Sequence, residues 1–522
     1  MASSIIFQAV FLFSLLGTCF SARILFLLPL ATRSHVHVFE PLMKALGERG
    51  HEITNLSPII SSNMPPTVKQ IQLITVEDLI GSMPDPFEQR RRGTIRAMFN
   101  SSTIEHMNKA CIKVLETPRF YEVLEKEKFD LIIVDIFINY CVLGVIPMFN
   151  APSILVTTMS APSSLSTAFG NRLPPSFVPS SLLKYTDEMT FLERMTNTLL
   201  DTAMGLMMVS LFLSKSEAMY KEYLPNGKNL PGIDEIQGNA SMLFMNSHFT
   251  LNYPRPLLPD VIEVGGMHTK PPKKLPKDLD DFLSKSGKDG FIFFSLGSIV
   301  KAKNMPEEHR KIFLNVFSRL KQRVIWKWET ETMPDLPPNV KLSKWLPQQD
   351  VLGHPNIRLF MTHGGLLSTQ ESVYHGVPVL GMPLFADQDL NVRQAERGGY
   401  AKMIEILDIT EEKLESAILE LLNDPAYAKK AKELSTLVKD LPQTPLDKAV
   451  YWTEYVLRHK GAPHLRSAAR DLNFFQYYVL DVAAVLLGAL ALVIYLISCC
   501  CKSIYRRTCG KKATKHVHFK KE

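Results

Sequence analysis

Residues Met361–Gln388 read MTHGGLLSTQESVYHGVPVLGMPLFADQ and gather several kinds of polar group between two short apolar runs. His363-Gly364-Gly365 follows a strand-like run and opens a helical pattern. Backbone N–H groups free of Cβ obstruction and the positive end of a helix dipole would then face one point. That combination seats a phosphate. Glu371, two helical turns further on, offers a carboxylate to a vicinal diol such as a ribose, and Trp345 in WLPQQ offers a face on which a base can stack. Ser298 closes SLGS near the same phosphates, and Asp387-Gln388 can hold sugar hydroxyls. Base, ribose, diphosphate and hexose are each matched, and a nucleotide-sugar is the ligand with those four parts.

Groups of this kind converge only if strand ends hold them. RILFLLPL, an amphipathic stretch closed by Gly50, and HEITNLS spell strand, helix, strand, and the pattern returns at FDLIIVD (129–135) and APSILVTT (151–158). Strands apolar on both faces belong to a parallel sheet covered on both sides. From 160 to 224 the chain turns to Pro/Ser-rich turns and long helical stretches. Among them AMGLMMVSLFLS is too short to span a bilayer, and reads as core, ligand wall or membrane-facing patch. The Pro/Lys-rich HTKPPKKLPKDLDDF (268–282) is a stiff solvated linker. Beyond it, strand-like runs at 291–298, 323–329, 340–347, 357–365 and 377–385 alternate with helix-length segments and make a second α/β unit. In such sheets ligands sit outside the carboxyl ends of the strands.

The ends of the chain are of another kind. An uncharged apolar leader with small Ser21 before Ala22 reads as a signal peptide, and Val479 to Cys501 is long and apolar enough to span a bilayer. The tail beyond carries eight basic residues against Glu522 alone, which accounts for the whole net charge of +7. The body is therefore neutral by count, nucleic acid is not implied, and the tail belongs in the cytosol. Cys111 and Cys141 are the only cysteines of the body, too few for a disulfide framework, with one bridge between them left open. The Cys499–Cys501 triplet suits palmitoylation or plain apolar filling. Sequons stand at Asn55, Asn100 and Asn239, and Lys520-Lys521 sits one position too close to the terminus for a dilysine signal.

The stretch from Trp345 to Gln388, WLPQQDVLGHPNIRLFMTHGGLLSTQESVYHGVPVLGMPLFADQ, resembles the donor-site signature of the family-1 UDP-glycosyltransferases, the animal UDP-glucuronosyltransferases and UDP-glucosyltransferases. The resemblance extends to FSLGS, to PRPLLPDVIEVGG, and to the leader, anchor and basic tail, so it covers essentially the whole chain. It implies an α/β chain of GT-B fold, two facing Rossmann-like domains with a C-terminal transmembrane helix. The expected parts are a signal peptide (1–21), an acceptor-binding domain (22–267), the linker (268–282), a UDP-sugar-binding domain (283–440), a helical segment (441–478), the transmembrane helix (479–501) and a cytosolic tail (502–522). The resemblance assigns Ser298, Trp345, Gln348, His363, Gly364, Gly365, Ser368, Glu371, Asp387 and Gln388 to the UDP-sugar. It makes His35 the catalytic base and Asp135 its partner. Many vertebrate members carry Asn where this chain has Leu367, so that contact is lost or passes to Ser368; the LLSTQE form is similar to invertebrate members.

Inverting hexose transfer from a UDP-sugar to small lipophilic hydroxyl compounds follows, in the endoplasmic reticulum lumen with a single type I anchor, without a cofactor or metal. The protein is open to homo- or hetero-oligomers. His37 stands two residues on, would start the helix and faces elsewhere. Asp278-Leu-Asp280 and Asp387-Gln-Asp389 imitate a metal site, but the first is read as a helix cap in the linker and the second as part of the sugar site. Arg255 can pair with a sugar carboxylate, so glucose and glucuronate both stay open, with LLSTQE favouring glucose. Two other classes share these motifs: a silent anchored subunit that binds UDP-sugar beside active relatives, and a GT-B epimerase or hydrolase. Intact His35, Asp135 and Glu371 argue against the first, and the anchor and apolar acceptor region against the second.

Overall fold

The computed structural model describes residues 21–81, 85–93 and 100–508. The signal-peptide expectation before Ser21 and the tail after Thr508, with Cys509, His516 and His518, lie outside them. The chain divides into two compact units, one ending at Arg466 and the other beginning at Ser467.

The first unit holds two wholly parallel sheets. Seven strands, β1 (Arg23–Leu27), β2 (Glu52–Leu56), β3 (Val68–Ile71), β4 (Leu131–Asp135), β5 (Ser153–Thr157), β6 (Met242–Met245) and β7 (Val261–Glu263), lie in the order β3-β2-β1-β4-β5-β6-β7. Six more, β8 (Phe291–Ser295), β9 (Arg323–Lys327), β10 (Val340–Ser343), β11 (Ile357–Thr362), β12 (Val379–Gly381) and β13 (Ala401–Met403), lie in the order β10-β9-β8-β11-β12-β13. LIIVD of β4 and FIFFS of β8 are buried along their whole length, as strands covered on both faces must be.

Each sheet reverses direction once. The chain lays strands outward from β1 and then returns to place β4 on its other side, with Leu27 beside Val134. It does the same with β8 and β11, with Ser295 beside Thr362. Loops leaving the two central strands diverge at that reversal and open a crevice. His35 follows β1 and Asp135 ends β4; Ser298 follows β8 and His363 follows β11. The reversal therefore decides where the chemistry gathers.

Near its end the first unit folds back on itself. Helix Pro445–Arg458 puts Ala449, Val450, Val456 and Leu457 into the same core as Phe26 and Phe39 of the first half. Cys111, on helix Ser101–Leu115, is disulfide-bonded to Cys141 in the turn after β4. Of the sequons, Asn55 is fully buried in β2 and leaves no room for a glycan, Asn100 caps a helix, and Asn239 is exposed.

Residues Phe191–Tyr223 form one continuous helix of 33 residues, with a π-helical turn at Met208–Leu213. AMGLMMVSLFLS, read above as too short to span, thus belongs to a helix long and apolar enough to cross a membrane, although its Leu213 is buried in the core beside the first sheet. Phe191, Leu192, Leu199 and Leu206 are 64–69% exposed, whereas Asn197 is fully buried and bonds Ser180 N, Pro175 O and Val178 O. In the second unit, helix Leu480–Thr508 runs 29 residues and contains an 18-residue window of mean hydropathy 2.7, long and apolar enough to cross a membrane.

Candidate active site

On the first sheet, His35 sits in the opening turn of helix Arg33–Glu48, so the helix starts before it rather than at His37. Its Nδ1 lies 2.8 Å from Asp135 Oδ2, and the Asp135 side chain is fully buried. Phe137 N donates to the other carboxylate oxygen at 3.0 Å, which fixes the carboxylate plane. A carboxylate only accepts, so the imidazole proton belongs on Nδ1 and the Nε2 lone pair is left to take a proton from another group. Phe137 packs on the ring at 4.9 Å between centroids, and Thr158 Oγ1 stands 3.4 Å from Nε2. His37 instead bonds Glu40 at 2.9 Å and does not meet Asp135.

On the second sheet, His363 follows β11 and its ring is wedged between two glycines. A Cβ at Gly297 or at Gly365 would stand 2.6 Å from the ring, and Gly297 and Gly364 both take φ near +80°. Gly365 is the N-cap of helix Leu366–His375, so the first free N–H groups of that helix open beside the ring. Burial, helped by nearby Lys327, pushes the imidazole down to about 4, so His363 is a neutral hydrogen-bonding group at pH 7. A neutral donor and a helix N-terminus together suit a diphosphate.

Three of the expected donor residues form one bonded cluster. Gln348 Nε2 donates to Glu371 Oε2 at 2.6 Å and to Ser368 Oγ at 2.9 Å. Glu371 is 4% exposed, and burial raises its carboxyl to about 7 against the opposing pull of Gln348. Leu367 turns away and packs against the core of the first half. Trp345 is 71% exposed, an open aromatic face, and Ser298 is exposed at the end of its loop.

Asp387 caps helix Gln388–Arg397 after Ala386, a non-glycine residue held at φ +58°. Gln388 Oε1 accepts from Leu384 N at 2.8 Å and Phe385 N at 3.1 Å, which closes this tight turn. Burial pushes the Asp387 carboxyl up, while Asn391 and the positive potential of His35 oppose it. That last interaction crosses from one sheet to the other: the imidazole lies within electrostatic reach of Asp387. Gln370 Nε2, 3.1 Å from Asn246 Oδ1, adds a buried bond between the halves.

Sequence reasoning missed Asn391, Thr158 and His268. Asn391 Nδ2 donates both to Asp387 Oδ2 at 2.9 Å and to Gly364 O at 3.1 Å, joining the two donor-side loops. Its place four residues after Asp387, one turn along a helix, was a usable signal. Thr158 follows the apolar SILVT of β5 at a strand end, also a legible position. His268 Nε2 stands 3.5 Å from Glu371 Oε1, and nothing in its linker context announced that.

Comparison with known proteins decides the family. The family model described as UDP-glucoronosyl and UDP-glucosyl transferase matches residues 24–515. The chain belongs to this family. A UDP-glycosyltransferase, UGT5, of Dactylopius coccus is 37% identical over 94% of both chains. UDP-glucuronosyltransferase 2C1 of Oryctolagus cuniculus is 35% identical over 91% of this chain and 97% of its own. The solved UDP-glucosyltransferase of Polygonum tinctorium, titled as capable of glucosylating indoxyl, aligns with TM-score 0.56 at 18% identity, over 85% of this chain and all of that one. The two Rossmann-type sheets are thus those of the GT-B glycosyltransferases, and a UDP-glycosyltransferase is a hexosyltransferase that takes a UDP-sugar donor.

The glycine wedge is directly testable in this UDP-glycosyltransferase. A Cβ at Gly365 must displace the His363 ring, so Gly365→Ala costs about 1–3 kcal/mol of stability. It should also weaken UDP binding at least about tenfold if the displaced ring and helix start seat the diphosphate. Thermal unfolding and calorimetric UDP titration read the two effects.

Proposed function

We propose that the protein transfers a hexose, glucose in preference to glucuronate, from a UDP-sugar to a hydroxyl of a small lipophilic acceptor with inversion. One observation carries this reading: His35 Nδ1 lies 2.8 Å from the fully buried carboxylate of Asp135, which leaves Nε2 free to take a proton. His35 Nε2 takes the acceptor proton as the oxygen bonds to the anomeric carbon from the face opposite UDP. The bond between that carbon and the diphosphate oxygen breaks, and UDP leaves. Buried Asp135 stabilises the imidazolium so formed. Charge growing on the diphosphate is met by the free N–H groups at the start of helix Leu366–His375 and by neutral His363.

The nature of the acceptor is supported by the helix Phe191–Tyr223. A helix on a water-facing surface hides leucine and shows asparagine; this one buries Asn197 and shows Leu192, Leu199 and Leu206. We read that face as lying against lipid, where acceptors that partition into a bilayer concentrate. With the more apolar of the two long helices, Leu480–Thr508, as the anchor and a basic stretch after it, the catalytic body falls in the lumen of the endoplasmic reticulum.

The deciding experiment incubates full-length protein in nanodiscs with labelled UDP-glucose and UDP-glucuronate over a panel of phenols and steroids. Glycoside formation, with glucose the faster donor, is expected. UDP binding without any glycoside would favour a silent binding partner, and UDP release without acceptor would favour a hydrolase.

A further inference from the structure

The segment Asp85–Gly93 comes from the first half of the chain but is packed into the second. Its helix, Pro86–Arg92, is capped by Asp85, which accepts from Phe87 N at 2.9 Å, and proline fills the first helical position. Phe87 is 2% exposed and belongs to the core of the second sheet, with Phe294 and Met305. Asn304 Nδ2 adds a bond to Asp85 at 3.3 Å.

Arg90 reaches out from this seat. Nη1 and Nη2 grip both oxygens of Asp389 at 2.6 and 3.0 Å, a two-pronged pair, while Nε and Nη2 hold Glu405 at 3.1 and 2.6 Å. The Arg90 and Asp389 side chains are 14% and 18% exposed, so water screens the pair poorly. A planar guanidinium is the side chain that can satisfy two carboxylates in fixed geometry. The Glu405 carboxyl, which burial would raise, is held below its ordinary range by these bonds.

What this clamp holds is the start of helix Gln388–Arg397. Asp389 lies in its first turn, between the Asp387-Gln388 pair and Asn391, and the turn before it stores the left-handed strain of Ala386. Removing the clamp would leave two carboxylates facing each other unneutralised and free the strained turn to relax. The UDP seat, by contrast, is built on β11, helix Leu366–His375 and the Gln348 turn, none of which Arg90 touches.

We propose that Arg90 is a positioning residue for the transferred sugar: a guanidinium of the N-terminal half that fixes Asp387 and Gln388 by gripping Asp389. Recognition of the sugar then depends on both halves of the chain, whereas recognition of UDP depends on one. This rests on Asp387 and Gln388 being the residues that hold the hexose.

The test compares binding of UDP and of UDP-glucose to full-length wild type, Arg90→Gln, Arg90→Lys, Asp389→Asn and Asp387→Ala by calorimetry, with donor KM and kcat beside it. Arg90→Gln should keep UDP affinity within about twofold and lose about tenfold or more in UDP-glucose affinity, with donor KM raised. Arg90→Lys, which keeps charge but not the fork, should fall between. Asp389→Asn should reproduce the loss, and the double variant should add little to either single one. Equal loss of UDP and UDP-glucose affinity, or no loss of either, overturns the proposal. If Asp387→Ala itself leaves UDP-glucose affinity unchanged, the assignment of the sugar site fails; if Asp387→Ala loses it and Arg90→Gln does not, the role of Arg90 alone fails.

Discussion

Replacing His35 by alanine should lower kcat for transfer by about 10²–10⁴ while UDP-sugar binds as it does to wild type. The proposed base and the proposed nucleotide seat are on different sheets, so the first can be deleted without disturbing the second. Asp135→Asn should cost a large part of the same factor. The amide preserves the shape and can still accept from Phe137 N, yet its NH2 group facing Nδ1 favours the wrong tautomer, with the proton moved to Nε2. Equilibrium binding and single-turnover rates on the same preparations separate the two steps. A His35→Ala protein that turned over at the wild-type rate would remove the dyad from the mechanism.

Glu371 is the second site of large effect, and there stability and binding should move in opposite directions. Its folded carboxyl titrates at about 7, well above the ordinary carboxylate value, because it is buried. Between about 4.5 and 7 the folded state holds a proton that the unfolded chain has released, so the stability of the empty protein falls as pH rises through this window. Glu371→Gln removes that penalty and should stabilise the empty protein at pH 8 by about 1–3 kcal/mol, read as a higher Tm. On the proposed assignment of Glu371 to the ribose, the ionised carboxylate is the acceptor for the ribose hydroxyls. UDP affinity of the wild type should therefore rise with pH up to about 7 and level off above it, whereas Glu371→Gln should bind at least about tenfold more weakly and without that pH dependence. A parallel pH dependence in both proteins would place the titrating group elsewhere.

Much of this was legible before any coordinates, and the reasons differ by element. Long runs buried on both faces, such as LIIVD and FIFFS, announce themselves through composition. Edge strand β3 (VKQI), the MLFM of β6 with no β-branched residue, and the three-residue β7 and β13 do not, because sheet pairing alone makes them strands. Glycines at 364 and 365 were readable as unobstructed backbone opening a helix, but Gly297, against which the His363 ring packs, needed the neighbouring strand to be in place. The run around Leu206, taken alone, is too short to span a bilayer and fits core, ligand wall or membrane-facing patch alike. Only the helix in full, with Asn197 turned inward, shows which side faces out. Arg90 was invisible for the plainest reason: its partners Asp389 and Glu405 lie some three hundred residues away in sequence.

In the proposed mechanism an alcohol activated on one sheet attacks, in a single direct displacement, a sugar held on the other. The anomeric configuration of the product, read by proton NMR on the glycoside made from UDP-α-glucose, tests it most directly. The account predicts the β-glycoside throughout. An α-glycoside would mean net retention, which a single attack by the acceptor from the face opposite UDP cannot give.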